Sequence, residues 1–328
     1  MRNPRILVPG AIHFITFRTE EGLPFMPLPF INMLMCSALA RAQKLYPVKI
    51  ICFVVQANHV HMLIRVCDPQ IVSRFIGYFK AESATYLNRL LNRRQRTVWQ
   101  ERFDSPIVLD LDKALQIFAY CSLNPVKDGL VNSMSEYPGV ASYSYLLERR
   151  NFIPSKSIPR NKVMPLKDPH RPQQENKKLT EYFSSDTFED VVVALSPDDL
   201  RMAYAPSRGM AFEEFRATLI HTLQKYEDVY RKERSTKAPL GATRLILGSL
   251  LSPRNPPTKG RKMICLSTIK ELRRSFISAF KRLKNLCREV FEQWRKGNTL
   301  VPYPPGMFAP NVPRRANFLP SATFCGLT

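Results

Sequence analysis

His59 and His61 flank a single valine in QANHVHMLI (56–64) and are the natural candidates in this chain for binding a metal ion. On a β-strand, side chains two apart share a face and sit about 6–7 Å apart along the chain. Both imidazoles then project one way and Val60 the other. Alternation alone fits a pair of satisfied polar residues equally well, so a third donor and a reacting group are needed. AYCSLN (119–124) supplies both. Tyr120 and Asn124 are four apart and share one face of a helix. Two imidazole nitrogens, the Asn124 side-chain oxygen and open positions suit Mg²⁺ or Mn²⁺ completed by phosphate and water. A phenol with a pKa near 10 is a poor nucleophile until its proton is removed or its phenolate stabilised. Beside a divalent ion that polarises a phosphodiester, Tyr120 could attack phosphorus, leaving a phosphotyrosine and a free hydroxyl. Such an exchange conserves bond energy and needs no ATP. The chain has no G-x-x-x-x-G-K-[ST] loop.

Other candidates fit less well. Tyr78 and Tyr86 share a helix face and suit packing or DNA contact. Tyr143 and Tyr145 have no polar partner four residues on. His13 suits a structural or supporting role, while His170 and His221 suit exposed positions. Glu101 and Asp104 are alternative oxygen ligands should Asn124 not serve.

The formal net charge of +22 over 328 residues implies a polyanionic partner, nucleic acid ahead of an anionic membrane surface. No apolar run reaches the roughly 18 residues of a membrane span, and no export signal is evident. Seven scattered cysteines without a C-x-x-C read as reduced core thiols of a cytoplasmic protein, nucleoid-associated when bound to DNA.

The elements that must position the candidate site follow from pattern. Strands are expected at 11–19, 49–57, 59–66 and within 98–110. Helices are expected at 28–45, 69–92 and 112–124, the last capped by Asp112. The order β-α-β-β-α-β is that of a ferredoxin-like split fold with an antiparallel sheet, an α+β domain over 1–150. A basic, Pro-rich linker (151–180) should follow, then a separate, mostly helical basic C-terminal domain (181–328) that could bind DNA, with helices at 211–231 and 268–296. Thr268 and Glu271 form a capping-box pattern, and Gly297 stops the last helix. Candidate DNA-contacting residues are Arg93, Arg94 and Arg96, with Arg273, Arg274, Lys281, Arg282, Lys284 and Arg288 on the face of 268–296 opposite its apolar stripe. The tail YPPGMFAPNVPRRANFLP is Pro-rich, and there is no internal repeat.

NHVHMLI (58–64), VWQERFDSPIV (98–108) and AYCSLNPVKDGLV (119–131), with YPGVASYSYL (137–146) trailing, together resemble the single-tyrosine HUH transposases, in their REP-associated branch. The resemblance covers roughly residues 8–148. It implies metal ligation by His59, His61 and Asn124, and a nucleophilic Tyr120. It also implies Mg²⁺ or Mn²⁺, and cutting of single-stranded DNA beside hairpins through a 5′-phosphotyrosine, in a mobile element or a domesticated relative. VQANHVH lacks the Met-Pro common before the Asn, which bears on loop shape more than on chemistry. The competing expectation is a non-catalytic nucleic-acid-binding protein that keeps the fold. The sequence leaves open whether two copies pair as a homodimer.

Overall fold

The computed structural model describes residues 5–25, 27–94, 96–100, 102–234, 237–251, 262–304 and 307–310. β1 (Ile12–Arg18) leads into α1 (Pro29–Leu45), β2 (Lys49–Val55), β3 (His59–Arg65), α2 (Pro69–Leu90) and β4 (Ile107–Val108). These pair antiparallel in the order β2-β3-β1-β4, the expected split arrangement of an α+β fold. The fourth strand is only two residues long; most of 98–110 runs irregularly, touching β1 through single bridges at Thr16–Asp104 and Thr19–Trp99.

Alternation sorts the sheet into two faces. On one, Phe17 meets Phe79 of α2 and the Trp99 ring, with centroids 5.9 and 5.0 Å away. α1 packs along α2. The other face carries Phe14, Thr16, Arg18, His59, His61 and Leu63, with Cys52 and Val54 of β2 opposite Leu63 and His61. α3 (Leu111–Ser122) lies on this second face: the Cys52 thiol donates to the Phe118 carbonyl, and that of Cys121 to the Cys52 carbonyl. Asp110, not Asp112, caps α3, because its carboxylate accepts from the Lys113 N–H at 2.8 Å. α4 (Asn124–Lys127) starts anew after Leu123, since Pro125 cannot continue the α3 hydrogen-bond ladder.

α5 (Tyr143–Leu147), β5 (Phe152–Lys156), α6 (Asn176–Ser184), β6 (Asp190–Ala194), α7 (Asp198–Ala203), α8 (Ala205–Arg208), α9 (Phe212–Arg234), α10 (Ala242–Ile246), β7 (Cys265–Leu266) and α11 (Lys270–Arg295) complete the chain. Two expectations need correction here. Residues 151–180 are not a free linker: β5 pairs with β6, and Ile153, Ile158, Val163 and Leu166 are buried. Ser37 Oγ accepts from the Ile158 N–H, and the Leu90 carbonyl from the Leu166 N–H. Apolar residues spaced singly between prolines and lysines show no period because they belong to an extended strap rather than a helix. Nor is 181–328 a body with its own separate core. One continuous core runs from Leu7 through Phe215, Leu219, Leu223 and Leu245 to Leu266.

β7 joins the main sheet parallel to β4. α11 buries Phe276, Phe280, Cys287, Val290 and Trp294 against Ile6, Val8 and Ile107. The capping box is absent: Thr268 Oγ1 donates to the Asp110 carboxylate instead, and Ile269 occupies the N-cap position. Gly297, at φ 93°, does end the helix. Cys67 is exposed and Cys36 half-buried, so not every thiol is in the core. Tyr303 and Met307 pack in the second cluster; 311–328, most of the expected tail, lie outside the described residues. Among the described residues, no helix is long and apolar enough to cross a membrane.

His13 faces away from the His59/His61 side, because it pairs with Ile64 rather than with the alternate residues. Its Nε2 accepts from the Val8 N–H at 3.1 Å, so Nδ1 carries the proton and donates to the Ser105 carbonyl at 3.0 Å. Burial lowers its pKa to about 4. Between pH 6.5 and 4 the unfolded chain therefore binds the extra proton, and stability falls as pH falls. The full effect is on the order of 3 kcal/mol. Urea denaturation of wild type and His13→Gln across this window should show a steeper acid loss in wild type; parallel pH profiles would refute this.

Candidate active site

The β1–β3 register builds one side of the site. His59 stands opposite Arg18 and His61 opposite Thr16. Both histidines are buried, their ring centroids 4.7 Å apart. Phe14 stacks on His61 at 5.2 Å, and its other neighbour is the Tyr120 ring at 5.8 Å. α3 supplies the other side. Tyr120, in its last turn, lies 5.3 Å from His61 between ring centroids. Asn124, fully buried at the start of α4, accepts from the Gln56 side-chain amide and lies 3.1 Å from His59 Nε2 through Oδ1. The four residues expected to form the site are thus brought together.

The donor set fits a divalent cation. His59 Nδ1 lies 2.7 Å from the Asn58 side-chain oxygen, so each ring nitrogen faces an oxygen acceptor. A neutral imidazole has one proton and can satisfy only one of them; the other nitrogen needs a second proton or a cation. Burial, the largest influence on His59, lowers its pKa and disfavours the second proton. The 3.1 Å separation matches the spacing of about 3 Å between neighbouring donors around an ion with bonds of about 2.1 Å. His61 Nδ1 and Asn124 Nδ2 are buried without a hydrogen-bond partner. Among the described residues no three His, Cys, Asp or Glu side chains form a metal cluster; the third donor here is a carboxamide.

Electrostatics favour neutral imidazoles. His61 is held well below its ordinary value by burial first, then by the charges of His59, Arg18 and Lys127. Burial first, and then the charge of Asp128, push the Tyr120 phenol up.

Four residues around the site escape sequence reasoning. Gln56 orients Asn124. Asp128 Oδ2 is 4.0 Å from His59 Nε2. Lys127 Nζ sits 5.1 Å from the Tyr120 ring centroid. Arg18 faces His59 across the ladder. The spacing of Asn124 and Asp128 by four was a usable signal; nothing local announces Arg18, which depends on register. The Asp104 carboxylate, the alternative oxygen donor, pairs with Lys262 at 2.7 Å. Glu101 lies outside the described residues.

The basic residues lie elsewhere. Arg93 is turned onto the Asn88 side-chain oxygen at 2.8 Å. Arg94 and Arg96 are exposed after α2. On α11, Arg273, Arg274, Lys281, Arg282 and Arg288 are exposed and Lys284 half-buried. Tyr86 is packed, its hydroxyl donating to the Ile158 carbonyl. His170 and His221 are exposed.

Residues 31–121 match the family described as "Transposase IS200 like". No curated protein matches the chain. Among solved structures it is similar to one described as "Structure of the REP associates tyrosine transposase bound to a REP hairpin", with 19% identity and a TM-score of 0.37, covering 45% of this chain and 86% of that one. The matched segment, residues 31–121, carries His59, His61 and Tyr120 and is similar to the IS200-like transposases over that stretch.

Proposed function

We propose that this protein cuts and rejoins single-stranded DNA beside a hairpin through a covalent 5′-phosphotyrosine on Tyr120. The observation that supports this most is the convergence of Tyr120 with two buried imidazoles and a carboxamide, one pair of whose donors is spaced like ligands of one ion. His59, His61 and Asn124 would hold Mg²⁺ or Mn²⁺, with Gln56 and Asn58 fixing the orientation of Asn124 and His59. The bound ion would polarise the phosphodiester and hold it in line. The Tyr120 oxygen attacks phosphorus as its proton leaves, the bond to the 3′ oxygen breaks, and that oxygen takes up a proton. Rejoining is the reverse attack by a 3′-hydroxyl, so no nucleotide is consumed. Phe14 packs against Tyr120 and His61 and holds their rings in place.

Tyr120→Phe keeps the ring packing and removes the hydroxyl. It should abolish the covalent adduct with an internally labelled, hairpin-bearing strand on a denaturing gel. Binding should stay within about fivefold, since one hydroxyl contributes about 1 kcal/mol. An adduct formed by the Phe variant would move the chemistry to another tyrosine; no adduct with wild type would favour a binding protein that keeps only the fold.

His59→Ala/His61→Ala should lose both cleavage and Mn²⁺ binding measured by calorimetry, and chelation of wild type should stop cleavage until Mg²⁺ or Mn²⁺ is restored. Undiminished Mn²⁺ affinity in the double variant would rule out this site.

The exposed basic face of α11 is proposed to hold the hairpin stem. Each duplex phosphate contact contributes about −0.9 to the slope of log K against log salt. Changing Arg273, Arg274, Lys281 and Arg282 together to Gln should flatten that slope in a salt titration and leave adduct formation at saturating DNA intact. An unchanged slope would place the stem on another surface.

A further inference from the structure

We propose that Arg18 and Lys127 form a phosphate clamp, gripping the non-bridging oxygens of the scissile phosphodiester against the Tyr120 hydroxyl. The proposal rests on the strand-cleavage reading and adds the residues that would hold the reacting group. Arg18 pairs with His59 in the β1–β3 ladder. Directly opposed residues on one face have Cβ atoms about 4.5–5.5 Å apart, so the guanidinium starts beside the imidazoles. Its charge acts on His59, His61 and Tyr120 alike. Lys127 approaches from the other side, its Nζ 5.1 Å from the Tyr120 ring centroid.

Neither cation has an ion-pair partner among the described residues; the nearby Asp128 carboxylate is instead 4.0 Å from His59. Two cations beside the same imidazole–tyrosine cluster, neither paired with a carboxylate, form a site for an anion. A second observation points the same way. Thr16 Oγ1, opposite His61, and Asn124 Nδ2 are both buried and without partners. Both can donate to an oxygen-rich ligand. A planar guanidinium binds two phosphate oxygens at once, whereas an ammonium acts as a point charge. Arg18 therefore orients the phosphate, and Lys127 neutralises charge that builds as the Tyr120 oxygen attacks.

The test has two arms. In single-turnover adduct formation on a hairpin-bearing strand at saturating DNA, Arg18→Ala should slow the reaction by about 10²–10³-fold, the range for removing one positioned electrostatic donor. Lys127→Ala should slow it as well, and Arg18→Lys should recover only part of the rate. Replacing the scissile linkage by a methylphosphonate, which lacks one charged oxygen, should slow wild type but have little further effect on Arg18→Ala. The second arm needs no chemistry: inorganic phosphate is titrated into the DNA-free protein by calorimetry, and Arg18→Ala/Lys127→Ala should bind it at least tenfold more weakly. If wild type forms an adduct and both single variants match its rate, the clamp is refuted while strand cleavage stands. If wild type forms none, the cleavage reading fails and the phosphate titration alone decides: equal affinities refute the anion site, and a loss upholds it.

Discussion

The antiparallel pairing of β1 with β3 is the constraint on which the site depends. It sets His59 and His61 beside Arg18 and Thr16 on one face, and sends His13 to the other. A strand has a period of two, so a slip by one residue would turn the slipped strand's share of the site into the opposite layer. The register is held by both faces together. Phe17 locks into Phe79 and Trp99 below, and Phe14 between His61 and Tyr120 above. The packing that stabilises the sheet and the packing that aims the site are thus one set of contacts.

The second half of the chain buttresses the helix that carries Tyr120. α9 packs along α3 and α4. From it, the buried Glu227 carboxylate accepts from the Ser133 hydroxyl at 3.0 Å and from the Met134 N–H. Arg234 donates to the Val131 carbonyl and the Asn132 side chain. At the other end of α3, one carboxylate, that of Asp110, caps the helix and also accepts from Ser267 and Thr268 just ahead of α11. Both ends of the tyrosine-bearing segment are therefore tied to residues far away in sequence.

Much of this was legible in the sequence where the signal is local. The helices at 29–45 and 69–90 and the paired strands around Asn58 follow from period and spacing, while the grouping of His59, His61, Tyr120 and Asn124 was pointed to by shared faces and by the family resemblance. What was not legible depends on partners distant in the chain. The strap at 151–180 looks like a linker because its buried Ile158 and Val163 are isolated among polar residues, and their partners are Ser37 and Arg89 on α1 and α2. Thr268 and Glu271 spell a capping box, but Asp110 takes the hydroxyl first. Arg18 reads as one more surface arginine until the register sets it against His59.

The parallel pairing of β7 with β4 has a consequence for how the molecule is made. The strand ending at Val108 has one neighbour, β1, until Leu266 has been synthesised, and its other edge stays open while more than a hundred and fifty further residues emerge. An open edge is a template for pairing with another chain. Contacts closed across so long a loop also form late. The nascent chain thus carries its histidines and tyrosine well before this edge of the sheet is closed, so the order of synthesis, and not only the finished fold, decides how long the edge stays exposed.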